Sequence, residues 1–131
     1  MRHLDANILI AYLNGNEAIS NKIEEYSSEV AVSTIVIAEL IFGAHNSKQP
    51  EQNLNRLETH VLQTIPVVLF DVECADRYAR VRIDLNQKGK PTGAMDLLIA
   101  SIALAHNAIL VTHNTKHFEH IDGLILEDWL A

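Results

Sequence analysis

The sequence predicts an α/β protein, a three-layer α/β/α sandwich with a central parallel sheet. Short apolar segments alternate with longer segments whose apolar residues recur at helical spacing. The short segments are apolar without a break, as strands are when helices cover both faces of a parallel sheet. The length of 131 residues is that of one ordinary domain, so residues 1–131 are expected to form a single domain.

The first half of the chain begins with a strand and continues with helices on either side of a second strand. Ser33 or Thr34 is expected to cap the third helix, because a side-chain oxygen there can accept a hydrogen bond from a free backbone amide. Pro50 is expected to open the fourth helix and Pro66 to follow its end, since proline fits a helix only in its first turn. The predicted elements are a strand at 2–5, helices over 8–13 and 17–28, a strand at 30–32, and helices over 34–44 and 50–64.

The second half repeats this alternation and contains the most apolar helix. Asp71 is expected to cap a long helix that ends at a loop rich in glycine and lysine. The helix after the loop is apolar almost throughout, which predicts burial on most sides. The predicted elements are a strand at 67–70, a helix over 72–88, a loop over 88–93, a helix over 94–107, and strands at 108–112 and 124–126.

Charge and cysteine usage narrow the class of protein. Ten Lys and Arg against seventeen Asp and Glu give a net charge of −7, which argues against a nucleic-acid partner unless clustered carboxylates hold a cation that reverses the local field. No apolar run approaches the roughly 18 residues that a membrane span needs, so no membrane partner is expected. Cys74 is the one cysteine, and a single cysteine excludes an internal disulfide and a cysteine-based zinc cage. We expect Cys74 to be a core residue and the protein to be cytoplasmic.

Polar residues stand where the predicted strands end and where the following helices begin. In a parallel sheet the ligand crevice lies at the carboxyl ends of the strands, so these side chains are expected to project into one crevice. Taken singly, the acids could instead cap helices or face solvent, and the asparagine could be a turn residue. The residues are Asp5, Glu39, Asp96, Thr112 and Asn114.

Three of these residues are acids, and their convergence predicts a metal site. Carboxylates in one crevice repel one another and raise each other's pKa, and a divalent cation removes that conflict. Oxygen ligands favour Mg²⁺, or Mn²⁺, over zinc. Such an ion can activate water and stabilise charge on a phosphoryl oxygen. The residues therefore predict metal-assisted hydrolysis of phosphodiester bonds, with Asp5, Glu39 and Asp96 holding the ion and positioning the attacking water.

Four motifs follow one another along the chain. They are LDANILI at 4–10, the spaced Ser33, Glu39-Leu40 and Gly43-Ala44, GKPTGAMDLLIA at 89–100, and VTHNTKHFE at 111–119. In register and at this length they resemble the PIN-domain ribonucleases, and most closely the VapC toxins of bacterial toxin–antitoxin pairs. The resemblance extends to Trp129, so it covers essentially the whole chain.

The resemblance implies an endoribonuclease toxin with the fold predicted above. Such proteins cleave single-stranded RNA, often tRNA or other structured RNA, with Mg²⁺ or Mn²⁺. Asp5, Glu39 and Asp96 match the family's first three acids, and we expect Asn114 to orient a water or a carboxylate. The family also implies a homodimer and a VapB-like antitoxin that inserts a basic or bulky side chain into the active site.

Two residues depart from the family pattern. Ala6 stands where Thr or Ser is common, which removes a hydroxyl near the site. His117 occupies the fourth acidic position; a neutral imidazole can bind Mn²⁺, but it supplies no negative charge and suits Mg²⁺ less well. Unless Glu119 or Asp122 substitutes, activity is expected to be reduced or shifted towards Mn²⁺.

Two further groups of residues have weaker functional interpretations. Basic side chains could hold RNA phosphates, although a solvated loop explains the lysines equally well. Three histidines have the spacing of a zinc cluster, but no fourth ligand is evident and a surface turn is the simpler interpretation. The possible RNA contacts are Lys88, Lys90, Arg80 and Arg82, and the histidines are His113, His117 and His120.

Other classes of protein are the alternatives. His117 motivates a catalytically weakened or inactive homologue that mainly binds its antitoxin. A receiver domain is disfavoured because Ser33 stands where the phosphorylated aspartate is needed. A haloacid-dehalogenase-type phosphatase is disfavoured because Asn7 stands where that class has its second aspartate.

Overall fold

The computed structural model describes residues 1–131, which alternate between strands and helices. The strands are β1 (Arg2–Leu4), β2 (Val30–Ser33), β3 (Val67–Val68), β4 (Ile109–Val111) and β5 (Leu126–Glu127). The helices are α1 (Ala6–Leu13), α2 (Glu17–Glu25), α3 (Thr34–His45), α4 (Pro50–Leu57), α5 (Val72–Lys88) and α6 (Ala94–Ala105). A π-helical turn, Glu58–Leu62, extends α4, and a 3₁₀ turn, Thr115–His117, follows β4.

All five strands run parallel in one sheet, in the order β3-β2-β1-β4-β5. The central strand β1 pairs with β2 on one side and with β4 on the other, where Leu4 lies opposite Val111. Six helices flank the sheet and α5 packs along α6. The predicted three-layer α/β/α sandwich with a parallel sheet is therefore confirmed.

The core is aliphatic and spans the sheet and the helices that cover it. Leu4, Val32 and Leu110, from three neighbouring strands, are fully buried. Phe118 is the largest fully buried side chain. Along α6, seven residues are buried, as its nearly continuous apolar sequence predicts.

The predicted caps are found, whereas two edge strands differ from the prediction. Ser33 Oγ accepts from the Val36 amide at 3.2 Å, and Asp71 Oδ1 accepts from the Cys74 amide at 3.0 Å. The strand predicted at 67–70 ends at Val68, because the chain leaves the sheet to reach the cap at Asp71. The strand predicted at 124–126 is wrong by two residues: pairing with β4 begins only at Leu126. None of the helices combines the length and apolar character that crossing a bilayer requires.

Candidate active site

The crevice that the sequence predicts lies where the carboxyl ends of β1 and β4 meet. In chain order β1 is followed by β2 and β3 on one side of the sheet, while β4 and β5 continue on the other. Ligands of open α/β sheets bind where the strand order changes direction in this way. Asp5 directly follows β1 and Thr112 directly follows β4, so both reach this point.

Asp5 is buried at the start of α1, and its carboxylate is held on several sides. The residue is 5% exposed, and its side chain accepts from the Ala6 amide at 2.8 Å and from the Thr112 hydroxyl at 2.7 Å. Burial raises the pKa of Asp5, and the charge of Asp96 adds to this, while the hydrogen bonds from Thr112 and Ala6 oppose it. Oδ1 of Asp5 thus caps α1, as the helix-cap interpretation expects, but Oδ2 is held by Thr112 and takes no part in the cap.

Thr112 is the centre of a small hydrogen-bond network. Its fully buried hydroxyl donates to Asp5, and it accepts from the Asn7 side-chain amide at 3.3 Å and from the Asn114 backbone amide at 3.1 Å. Asn7 in turn accepts from the His113 backbone amide at 3.0 Å. The network fixes the loop after β4 against the start of α1 and holds the Asp5 carboxylate in one orientation.

Glu39 lies on α3 and carries an unsatisfied buried oxygen. Its Oε1 atom is buried and has no hydrogen-bond partner. Burial raises the pKa of Glu39, and the charges of Asp5 and Asp96 raise it further. A buried carboxylate oxygen without a partner is costly, and such groups require an explanation.

Asp96 lies in the first turn of α6 and contacts His117. Its side chain is 28% exposed, and its Oδ2 lies 3.1 Å from Nδ1 of His117. When Nδ1 of the neutral ring donates to this oxygen, Nε2 is left as an acceptor. His117 therefore contacts one of the three acids of the crevice.

The three acids affect one another without forming a compact cage. Asp96 raises the pKa of both Asp5 and Glu39, and Asp5 also raises that of Glu39. The ligand atoms of these three acids do not all lie within 4.8 Å of one another, whereas those of Asp71, Cys74 and His106 do. Mg²⁺ keeps several waters and takes only one or two carboxylates directly. Three acids that are not in a compact cage, one of them with a buried oxygen that lacks a partner, fit such an ion.

Asn114 is placed differently from its neighbour Thr112. The residue is exposed, its backbone amide donates to Thr112, and its side chain does not cap the 3₁₀ turn that it precedes. The side chain that orients the Asp5 carboxylate is that of Thr112. Two features of the sequence indicate this network: Thr112 directly follows a buried apolar strand, and Asn7 lies two residues after Asp5.

Two of the predicted RNA contacts are already engaged by acids. Lys88 Nζ lies 2.8 Å from Asp84 and 2.9 Å from Asp122, and Arg80 pairs with Asp76 at 2.8 Å. These neighbouring acids offset part of the positive charge that Lys88 and Arg80 would present to RNA phosphates. The other two predicted contacts, Lys90 and Arg82, take part in no ion pair.

The zinc cluster considered for three histidines does not form. Their ligand atoms are not brought together, because each ring contacts a different acid. The pairs are His113 with Asp128 at 3.0 Å, His117 with Asp96 at 3.1 Å, and His120 with Glu119 at 3.4 Å.

An exposed apolar surface borders Glu39. Phe42 is 70% exposed, Ile10 50% and Met95 41%. Together with Ala6 and Ala38 they line a shallow depression that Glu39 also borders. Large apolar groups exposed together beside a charged crevice indicate a surface that another molecule covers.

Comparisons with known proteins show the family to which the chain is similar. The family model described as PIN domain matches residues 3–124. The chain is 41% identical over 129 residues to "Ribonuclease VapC2" of Rickettsia felis, covering 96% of each chain. It is 35% identical over 127 residues to "tRNA(fMet)-specific endonuclease VapC" of Shigella flexneri, again covering 96% of each.

Solved structures extend the likeness to the fold. The structure is similar to a chain of VapBC2 from Rickettsia felis bound to a promoter DNA fragment, with a TM-score of 0.92, 40% identity and 98% of each chain covered. It is also similar to a chain of DNA-bound VapBC from Salmonella typhimurium, with a TM-score of 0.92 and 33% identity, covering 98% of this chain and 97% of that one.

Proposed function

Because this chain belongs to the PIN-domain family, we propose that it is a metal-dependent endoribonuclease, the toxin of a type II toxin–antitoxin pair. Curated relatives at 41% and 35% identity carry the names of VapC ribonucleases and span nearly the same length. The structural observation that carries the proposal is the buried, unpartnered Oε1 of Glu39 beside two further acids. A bound cation, or a water molecule held by one, would satisfy that oxygen and relieve the repulsion among the three acids.

Asp5, Glu39 and Asp96 would hold the ion, which we propose to be Mg²⁺ or Mn²⁺. When bound, such an ion supplies Lewis-acid activation of water and neutralises charge on a phosphoryl oxygen. Thr112 keeps Asp5 oriented through its 2.7 Å hydrogen bond. Glu39, together with the other two acids, would position the attacking water. No protein nucleophile is needed.

His117 distinguishes this site from the family pattern. Its Nδ1 lies 3.1 Å from Asp96, so the ring orients that carboxylate and presents Nε2 in place of a fourth negative charge. Imidazole nitrogen suits Mn²⁺ better than Mg²⁺. We therefore propose that activity is supported better by Mn²⁺ than by Mg²⁺.

The substrate and partners follow from the relatives and from the surface. A relative named for tRNA(fMet) favours tRNA, or another structured RNA, as the substrate. Lys90 and Arg82, which take part in no ion pair, are the proposed phosphate contacts, and Lys88 and Arg80 contribute less. The VapBC complexes among similar structures favour a VapB-like antitoxin, which would bury the apolar surface of Ile10, Phe42 and Met95. A homodimer in the cytoplasm is part of the same proposal.

Expression of the chain alone tests this function. An active toxin arrests growth of a bacterial host, and Asp5→Ala abolishes the arrest at equal protein level. Arrest that persists in Asp5→Ala would contradict the proposal. The second candidate, a weakened or inactive homologue that mainly binds its antitoxin, is favoured by His117 and predicts no arrest by the wild type.

A further inference from the structure

A second group of metal-ligand side chains lies apart from the acidic crevice. Asp71, Cys74 and His106 offer three ligand atoms that all lie within 4.8 Å of one another. Asp71 caps α5, Cys74 lies in its first turn, and His106 caps the far end of α6. His106 lies ten residues along α6 from Asp96, about 15 Å at the rise of a helix. The group is therefore separate from the crevice that holds Asp96.

A buried histidine next to this group supplies an independent observation. His3, on β1, is 3% exposed, and neither ring nitrogen has a hydrogen-bond partner. Its ring stands edge-on to that of His106, with centroids 5.4 Å apart. Two unsatisfied nitrogens in one buried ring are unusual in a folded protein. A ligand that accepts a nitrogen lone pair would satisfy one of them.

The chemistry of the four side chains selects the ion. A carboxylate, a thiolate and two imidazoles form the mixed donor set that Zn²⁺ binds tetrahedrally, at bond lengths of about 2.0–2.3 Å. Such bonds place ligand atoms about 3.3–3.8 Å apart, so small side-chain rotations bring the atoms of Asp71, Cys74 and His106, already within 4.8 Å of one another, into place. His3 is not part of that close group, so its ring must turn further to reach the ion. The Asp71 carboxylate uses Oδ1 to cap α5, which leaves Oδ2 for a metal.

We propose that Asp71, Cys74 and His106 form a zinc site that joins the start of α5 to the end of α6, and that the neighbouring unpartnered His3 ring turns to complete it as the fourth ligand. The Cys74 thiol, whose pKa burial raises, loses its proton to solvent as the Zn–S bond forms. The negative charges of the Asp71 carboxylate and the Cys74 thiolate then balance the charge of the dication. Asp71 and His106 are exposed, so the ion enters from solvent, while Cys74 and His3 are buried. The site stabilises the fold and takes no part in the chemistry at the acidic crevice.

Titration of the full-length protein with Co²⁺, and with Zn²⁺ in competition, tests this site. Co²⁺ bound to a thiolate gives a near-ultraviolet charge-transfer band and tetrahedral visible bands, which oxygen ligands alone do not give. We expect one Co²⁺ per chain with this band, displacement by one Zn²⁺, and loss of the band in Cys74→Ala. His106→Gln, an exposed position, should weaken Zn²⁺ binding by at least about tenfold.

Two controls separate this site from other binding. His60→Gln removes an exposed histidine elsewhere and should leave Zn²⁺ affinity unchanged. Asp96→Asn disrupts the acidic crevice and should leave the charge-transfer band intact. Absence of the band in the wild type, or equal Zn²⁺ affinity in wild type and His106→Gln, would overturn the proposal.

Discussion

The hydroxyl of Thr112 donates a hydrogen bond of 2.7 Å to Oδ2 of Asp5, across 107 residues of chain. The bond joins the loops that follow β1 and β4, the two strands whose carboxyl ends form the crevice. Asp5 is 5% exposed and Thr112 is fully buried, so the bond is protected from water. The Thr112 hydroxyl therefore supports the fold at the point where the order of the strands changes direction. It also orients the carboxylate of Asp5, a proposed metal ligand.

Replacing Thr112 by valine tests this support. Thr112→Val keeps the shape of the side chain but leaves a buried carboxylate with one partner fewer, and we expect a loss of about 1–3 kcal/mol in unfolding free energy. Loss of a group that orients a metal ligand should also lower RNA cleavage by about 10–100-fold. Urea unfolding and cleavage assays measure the two effects. Thr59→Val, at an exposed site, is the matched control, and equal behaviour of both variants would contradict the assigned role.

Glu39→Gln should separate stability from activity. The substitution removes a negative charge that burial and two neighbouring acids disfavour, so without metal the variant should unfold at a higher temperature than the wild type. Cleavage should fall by about 100-fold or more, as expected when a ligand of the catalytic ion is lost. Added Mg²⁺ or Mn²⁺ should raise the melting temperature of the wild type more than that of the variant. A variant that melts lower without metal would show that Glu39 is stabilised by contacts other than a cation.

His117→Asp tests the altered fourth position. The change restores a negative charge next to Asp96, so it should raise the Mg²⁺-supported cleavage rate relative to the Mn²⁺-supported rate. Cleavage of one RNA with each ion, for wild type and variant, gives this ratio. His120→Asp, which adds the same charge where the ring contacts Glu119 instead, serves as the control. An unchanged ratio in His117→Asp would contradict the proposed role of His117.

The ion pair between Arg2 and Glu127 should make stability depend on pH. Glu127 accepts from Arg2 at 2.9 and 3.1 Å, and this hydrogen bonding lowers the pKa of Glu127. A carboxyl whose pKa is lowered by folding stabilises the protein above its ordinary pKa, and that contribution is lost as the pH falls through the folded-state value. Glu127→Gln should therefore cost about 1 kcal/mol at neutral pH.

Urea unfolding at neutral and acid pH measures this contribution. The difference in unfolding free energy between wild type and Glu127→Gln should shrink as the pH falls and the Glu127 carboxyl of the wild type becomes protonated. Glu25→Gln is the matched control, since its pair with Lys22 spans 3.9 Å at an exposed site. A difference that stays constant down to acid pH would show that the pair contributes nothing through charge.

Much of the fold could be predicted because local signals and long-range packing agree. The apolar sequence of α6 predicted that the helix is buried. Ser33, Pro50 and Asp71 correctly indicated where three other helices begin. The ends of the two edge strands could not be predicted. Each of these strands is only two residues long, and its limits depend on pairing with the neighbouring strand and on where the next helix is capped, rather than on apolar character.

The candidate sites were predictable to different degrees. The three acids could be placed in one crevice because parallel strands bring their carboxyl ends to one edge. The choice between Thr112 and Asn114 depended on the turn after β4, which sequence spacing does not specify. The Asp71, Cys74 and His106 group was missed, because α5 and α6 bring it together from distant positions and a lone cysteine gives no spacing signal.

Cleavage of purified RNA with defined metal tests the central claim most directly. Wild-type protein, freed of metal by chelator, should cut tRNA or another structured RNA only after Mn²⁺ or Mg²⁺ is restored. Asp5→Asn, Glu39→Gln and Asp96→Asn should each cut at least about 100-fold more slowly at saturating metal. Cleavage by the wild type that continues without metal, or that survives loss of any of these three acids, would contradict the account.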